Sequence, residues 1–142
     1  MSNIIVVGHG SFASGISRAL ELILGKQENY YYIDYNEENN ASKYKSELTN
    51  LIESLEGEIV ICSDLLNGTP FNVAMEISVN NENIKLIYGI NLASLMELIS
   101  QKMFTDEEID LNSVINRGKE NIGIFTIEQL NAIPEDIDKD TL

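Results

Sequence analysis

The single histidine of the chain, His9, stands in NIIVVGHGSFASGI (3–16), directly after an apolar run and between two glycines. An imidazole flanked by Gly8 and Gly10 has no neighbouring side chain over its ring and is open to the close approach of another molecule. Asp64 closes a second apolar run, EIVICSD (58–64), and leads into SDLLNGTPFN (63–72). A carboxylate at one ring nitrogen would hold that nitrogen as N–H and leave the other unprotonated and nucleophilic. Helix starts near Ser11–Ala13 and near Thr69 would direct unpaired N–H groups and positive dipole ends toward the same turn, which suits a phosphoryl group. One histidine and one cysteine do not make a usual zinc ligand set, so neither a metal nor a cofactor is expected.

For these groups to meet, the elements carrying them must be neighbours. NIIVVG (3–8), YYYIDY (30–35), EIVICSD (58–64) and IKLIYGI (84–90) read as strands. Between the first two, Ile16, Leu20, Ile23 and Leu24 fall on one helical face, with Gly25 as a stop. Tyr44, Leu48, Leu51, Ile52 and Leu55 form the next stripe, ending at Gly57. Thr69 is set to cap a third helix with Pro70 at its first position, and Leu95, Met96, Leu98 and Ile99 mark a fourth. Thr105-Asp-Glu-Glu108 has the pattern of a capping box and predicts a further helix from there. IGIFTI (122–127) alternates like a last strand, and the stretch from Glu128 reads as an acidic tail, giving a domain over 1–127 and a tail over 128–142.

Strands alternating with helices predict an α/β fold, a four-stranded parallel sheet covered on both faces. The flavodoxin-like order 2-1-3-4 puts the first and third strands side by side, roughly 4.8 Å apart. His9 and Asp64 then emerge together at the carboxyl ends of those strands, at the switch point where ligands collect in such sheets.

Composition narrows the classes. The 142 residues fit one domain with a real core. Nine basic residues against twenty-three acidic ones leave a net charge of −14, which argues against nucleic acid as a partner. No apolar run approaches the ~20 residues of a membrane span, no export signal opens the chain, and the lone Cys62 sits in an apolar run. Together these predict a cytoplasmic protein with a buried thiol.

A second reading stays open. Gly8-x-Gly10-x4-Gly15 approaches a dinucleotide fingerprint, with alanine at position 13 in place of its third glycine. Asp34, about twenty residues past the turn, is the acid such a site would use on a ribose. A nucleotide-binding module is therefore the alternative from a different class, and a regulatory protein that takes a phosphoryl group without delivering it is a third. No P-loop sequence follows any strand.

The pairing of IIVVGHGSFASGI with SDLLNGTPFN resembles the IIA components of the mannose-class bacterial phosphotransferase system, over residues 1 to about 125. The resemblance implies the parallel sheet above plus an antiparallel edge strand exchanged between the subunits of a homodimer. It also implies a phosphoryl carrier that receives its group from the phosphocarrier protein HPr and donates it to a IIB component. The group then reaches a sugar entering through the membrane IIC/IID permease, which would bring this chain to the membrane periphery. On this chain the carrier is His9, through its Nε2, and Asp64 orients the ring. Gly10, Ser11 and Thr69 are the implied phosphoryl contacts, and Phe12, Leu65, Leu66, Asn67 and Phe71 the docking rim. The family has two glycines before the threonine or serine where this chain has Asn67-Gly68, a turn asparagine can support. The end of the chain suggests a free-standing IIA subunit. A related branch serves dihydroxyacetone kinase, and the intact TPFN favours the sugar-transport branch.

Overall fold

The computed structural model describes residues 2–132. Four strands, β1 (Asn3–His9), β2 (Tyr30–Tyr35), β3 (Ile59–Ser63) and β4 (Ile84–Ile87), form one sheet in the order β2-β1-β3-β4. All three pairings are parallel. The helices are α1 (Phe12–Leu24), α2 (Ala41–Ser54), α3 (Thr69–Ser78), α4 (Leu92–Phe104), α5 (Leu111–Glu120) and α6 (Ile127–Ala132). The α/β fold and strand order are those expected from the alternation of strands and helices.

Side chains along a strand point alternately to its two faces, and both faces of β1 are covered. Ile4 and Val6, with Val60, Cys62 and Ile87, pack against Ala13 and Leu20 of α1, Leu95, Leu98 and Ile99 of α4, and Val114 of α5. Ile5 and Val7, with Ile33, Ile59, Ile61 and Ile84, pack against Tyr44, Leu48 and Ile52 of α2 and Ala74 of α3. This two-sided burial explains why the first and third strands read as unbroken apolar runs. Cys62 is fully buried, and its thiol is pushed up to about 12 by that burial.

Several boundaries differ from the sequence expectation. β1 extends one residue further, so His9 is its last member rather than the residue after it. β4 ends at Ile87, short of Ile90, because Gly89 turns the chain at φ 68°. α2 ends at Ser54 and not at Gly57, which turns the chain three residues later at φ 87°. No helix starts at Thr105. That residue closes α4 by donating its N–H to Gln101, and its hydroxyl accepts from Glu107 N–H at 2.8 Å. α5 begins six residues later, where Asp110 accepts from Ser113 N–H.

Residues 122–126 form no strand within the chain, and Ile127 opens α6. Ile122, Ile124, Phe125 and Ile127 are exposed. α6 crosses the boundary expected between domain and tail, and the rest of that tail, from residue 133, lies outside the described residues. Among the described residues no helix is long and apolar enough to cross a membrane.

Candidate functional site

The strand order decides the chemistry of the sheet's carboxyl edge. β1 lies between β2 and β3, so His9 faces Tyr35 in register on one side, while on the other the residue after β3 stands level with Gly8 and reaches His9 with its side chain. That residue is Asp64. Its Oδ2 accepts from the His9 main-chain N–H at 2.9 Å and lies 2.7 Å from His9 Nδ1. Oδ1 accepts from Leu65 N–H at 2.9 Å, while the Asp64 N–H donates to the Val7 carbonyl at 3.2 Å, continuing the β1–β3 ladder past its last assigned pair. Two main-chain N–H groups and, at 3.4 Å, the Ser63 hydroxyl thus donate to the carboxylate besides its contact with the ring.

Burial of Asp64 pushes its carboxyl up, but the His9 main-chain and ring hydrogen bonds, the charge of a protonated ring and Leu65 N–H outweigh this. The net shift is downward. An ionised carboxylate only accepts, so Nδ1 carries a hydrogen, and in the neutral ring Nε2 then carries the lone pair. The Asp64 side chain is 9% exposed and that of His9 43%, which leaves the ring reachable from solvent.

The α3 turn closes on the other edge of the ring. A Cβ added at Gly68 would stand 2.4 Å from His9 Cε1 and 2.9 Å from Nε2, closer than any side chain allows. Its neighbour Asn67 has φ 68°, in the left-handed region, whereas Gly68 is extended at φ −95°. In the two-glycine pattern of the resembling family, these positions therefore meet separate demands in this chain. Position 67 needs a residue that tolerates left-handed backbone, which asparagine does, and position 68 needs the absence of a Cβ. Gly8 is also constrained by space, since a Cβ there would meet Phe12 Cδ1 at 2.6 Å and Asp64 Cγ at 3.1 Å. Gly10 has open space around it and is required for its φ of 59°.

Not every expected role survives the geometry. Gly68, not Thr69, is the N-cap of α3. Thr69 is the first helical residue, makes no capping bond and is half-buried beside the turn. The Gly10 N–H donates to the Tyr35 carbonyl at 2.7 Å and is engaged there. Ser11 is the exposed N-cap of α1 and likewise makes no side-chain cap. Of the expected rim, Leu65 and Leu66 are exposed at 49% and 44%, and Asn67 is exposed with them. Phe71 is buried and packs edge-on against Tyr88, and half-buried Phe12 packs against the core beside Gly8.

The sequence reading overlooked three residues at this edge. Tyr35 presents an edge-on contact to the His9 ring at 5.8 Å between centroids, a neighbour the β1–β2 register implies. Gly68 meets the imidazole directly, a contact without a local sequence signal. Ser14 forms a pair with Asp34, whose Oδ1 accepts from Ser14 N–H at 2.9 Å and whose Oδ2 accepts from Ser14 Oγ at 2.7 Å. Asp34 thus serves the first turn of α1. Both its oxygens are engaged, which removes the main support for a ribose-binding acid there. Among the described residues no group of three metal-ligating side chains is brought together.

Similarity to known proteins bears on the same residues. The family model for EIIA-man, described as the PTS system fructose IIA component, matches residues 3–115. The PTS system mannose-specific EIIAB component of Escherichia coli K12 is 35% identical over 139 residues, covering 94% of this chain and 41% of that protein. The chain thus spans about two fifths of that relative's length. Among solved structures, phosphotransferase system component EIIA from Streptococcus agalactiae superposes with a TM-score of 0.79 at 35% identity, over 87% of this chain and 97% of that one. The PTS IIA protein associated with the fucose utilization operon of Streptococcus pneumoniae gives 0.77 at 26%, over 92% and 96%.

Proposed function

The chain belongs to the EIIA-man family of phosphotransferase-system IIA components, and on that premise we propose that it is a phosphoryl carrier working through His9. The observation that carries this reading is the 2.7 Å contact between His9 Nδ1 and Asp64, which leaves a nucleophilic Nε2 against the first turn of α3. Phospho-HPr is the donor and a IIB component the acceptor, with the IIC/IID permease and its sugar downstream. Such a carrier works in the cytoplasm and meets the membrane through the permease complex.

In acceptance, the Nε2 lone pair forms the new N–P bond while the donor's P–N bond breaks, and the departing nitrogen keeps that electron pair. Nδ1 keeps its hydrogen, so the phosphorylated ring carries a formal positive charge beside the Asp64 carboxylate. That charge–charge contact stabilises the ring through the transfer without forming a bond to phosphorus. The first turn of α3 supplies what an incoming anion needs. Its early N–H groups have no intrahelical acceptor, Pro70 excepted, and its positive dipole end faces the ring edge. Thr69 and the exposed main chain at Ser11 are the remaining contacts within the proposal, with Leu65, Leu66 and Asn67 as the docking surface. A homodimer that exchanges segment 122–127 fits the exposed apolar alternation there and the outer edge of β4, which has no strand partner among the described residues.

The test is intact mass after incubation with phosphoenolpyruvate, the upstream carrier enzyme and HPr. One acid-labile phosphoryl group is expected on the chain and none on His9→Ala. An unchanged mass for the unaltered chain, or label persisting in the variant, overturns the reading.

A further inference from the structure

Tyr44 is the largest completely buried side chain among the described residues. It belongs to α2, which contributes no other group to the His9 site. Its hydroxyl donates to the Pro70 carbonyl at 2.8 Å, a buried bond into the first turn of α3. Its ring packs edge-on against Tyr35, with centroids 5.8 Å apart and planes at 65°, and Tyr35 in turn packs edge-on against His9. One side chain therefore touches two of the groups that border the imidazole besides Asp64: Tyr35, and the turn that carries Gly68.

We propose that Tyr44 is a positioning residue for phosphoryl transfer, tying the first turn of α3 and Tyr35 into a fixed frame around the His9 ring. The inference rests on the reading of His9 as the phosphoryl carrier. That turn needs a tie from outside. Its N-cap is a glycine without a side chain, its second residue is a proline without an N–H, and no side chain caps it. The Pro70 carbonyl has a second lone pair beyond the one used within the helix, and Tyr44 takes it. Burial and the nearby Asp64 charge push the phenol well above its ordinary range, so the group stays a donor. A phenylalanine would fill the same space in the core, so packing alone does not account for the hydroxyl. Gly68 sits so near Nε2 that a movement of α3 by a fraction of an ångström changes the room left for phosphorus.

The experiment compares Tyr44→Phe with Tyr30→Phe. Tyr30 also has a bonded hydroxyl, 2.7 Å from Ser17 Oγ, but it lies at the far end of β2 and packs against the opposite core. Phosphoryl acceptance from phospho-HPr is measured under steady-state conditions, together with the ¹⁵N shifts of the unphosphorylated His9 ring. In Y44F kcat is expected to fall about five- to tenfold with KM unchanged, the scale of one lost hydrogen bond, and the His9 Nε2 resonance to move. Y30F should show neither change. Wild-type kcat and ring shifts in Y44F overturn the proposal, as does an equal loss in Y30F, which would mark a general effect of stability. Should Y44F fail to fold, Tyr35→Leu at a half-buried position tests the same frame; an unchanged kcat and ring shift there overturn it. A wild-type chain that takes no phosphoryl group overturns the carrier reading instead, and the ring shifts still decide whether Tyr44 sets the imidazole's surroundings.

Discussion

Two helices begin at the same edge of the sheet, and they are prepared for anions in opposite ways. α1 already has its anion: Asp34 from the end of β2 takes both the N–H and the hydroxyl of Ser14, in the first turn. α3 has none. Its N-cap is Gly68, no carboxylate caps it, and its start is pressed against the His9 ring. A helix dipole offers the same attraction wherever a helix starts, so availability separates an anion site from a structural cap. In this molecule the α1 end is neutralised from within, whereas no side chain does the same at the α3 end, which is where the proposed phosphoryl group would sit.

The strongest way to break the contrast is to remove the room at α3. Gly68→Ala places a methyl group inside the contact distance of His9 Cε1 and Nε2, where the helix backbone cannot retreat easily. Phosphoryl acceptance should fall by about 100-fold, the scale of an ångström-sized misplacement, while circular dichroism stays that of the native fold. A variant within a few-fold of wild type would show that α3 does not border the reacting nitrogen.

Asp64→Asn keeps the shape and removes the charge, so the phosphorylated ring loses its counter-charge. Transfer should slow by about tenfold, comparable to one charge-assisted hydrogen bond. The same variant tests acid stability. Because the folded carboxyl lies below its ordinary value, Asp64 adds stability that is full above the unfolded pKa, near ~3.9. That stability is lost as pH falls through the lower folded value. The wild-type chain should thus lose more stability than D64N between about pH 4 and pH 2 in denaturant titrations; parallel curves would contradict the assignment.

The smallest effect is expected on the α1 side. Asp34→Asn leaves an acceptor for Ser14 and gives up only the charge. Stability should drop by no more than about 1 kcal/mol, and acceptance should stay within about twofold of wild type. A large loss of transfer in D34N would erase the distinction between the two helix ends.

Much of this was legible residue by residue. Continuous apolar runs at 3–8 and 58–64 mark strands buried on both faces, and their alternation with helical stripes leads to the 2-1-3-4 order. His9 meeting Asp64 follows from that order, and Asn67 in the left-handed turn follows from its type. The first turn of α3 carries Thr69 and Phe71, yet their surroundings were not readable. Phe71 turns inward and packs edge-on against Tyr88, from the turn after β4, and Gly68 takes the cap position because its backbone is still extended while the helix begins at Thr69. The box-like Thr105–Glu108 pattern likewise gives way to Asp110, since Thr105 is already engaged in closing α4.

Periodicity and residue type are properties of neighbours along the chain, so the amino-acid order by itself determined the four strands, their order in the sheet and the meeting of His9 with Asp64 at its edge. Availability is a property of neighbours in space. Only the tertiary structure decided that Asp34 closes α1, that Gly68 leaves α3 open against the imidazole, and that Tyr44 reaches from a third helix to hold that opening. Each of these joins residues twenty or more positions apart, through contacts a few ångströms long that no local pattern encodes.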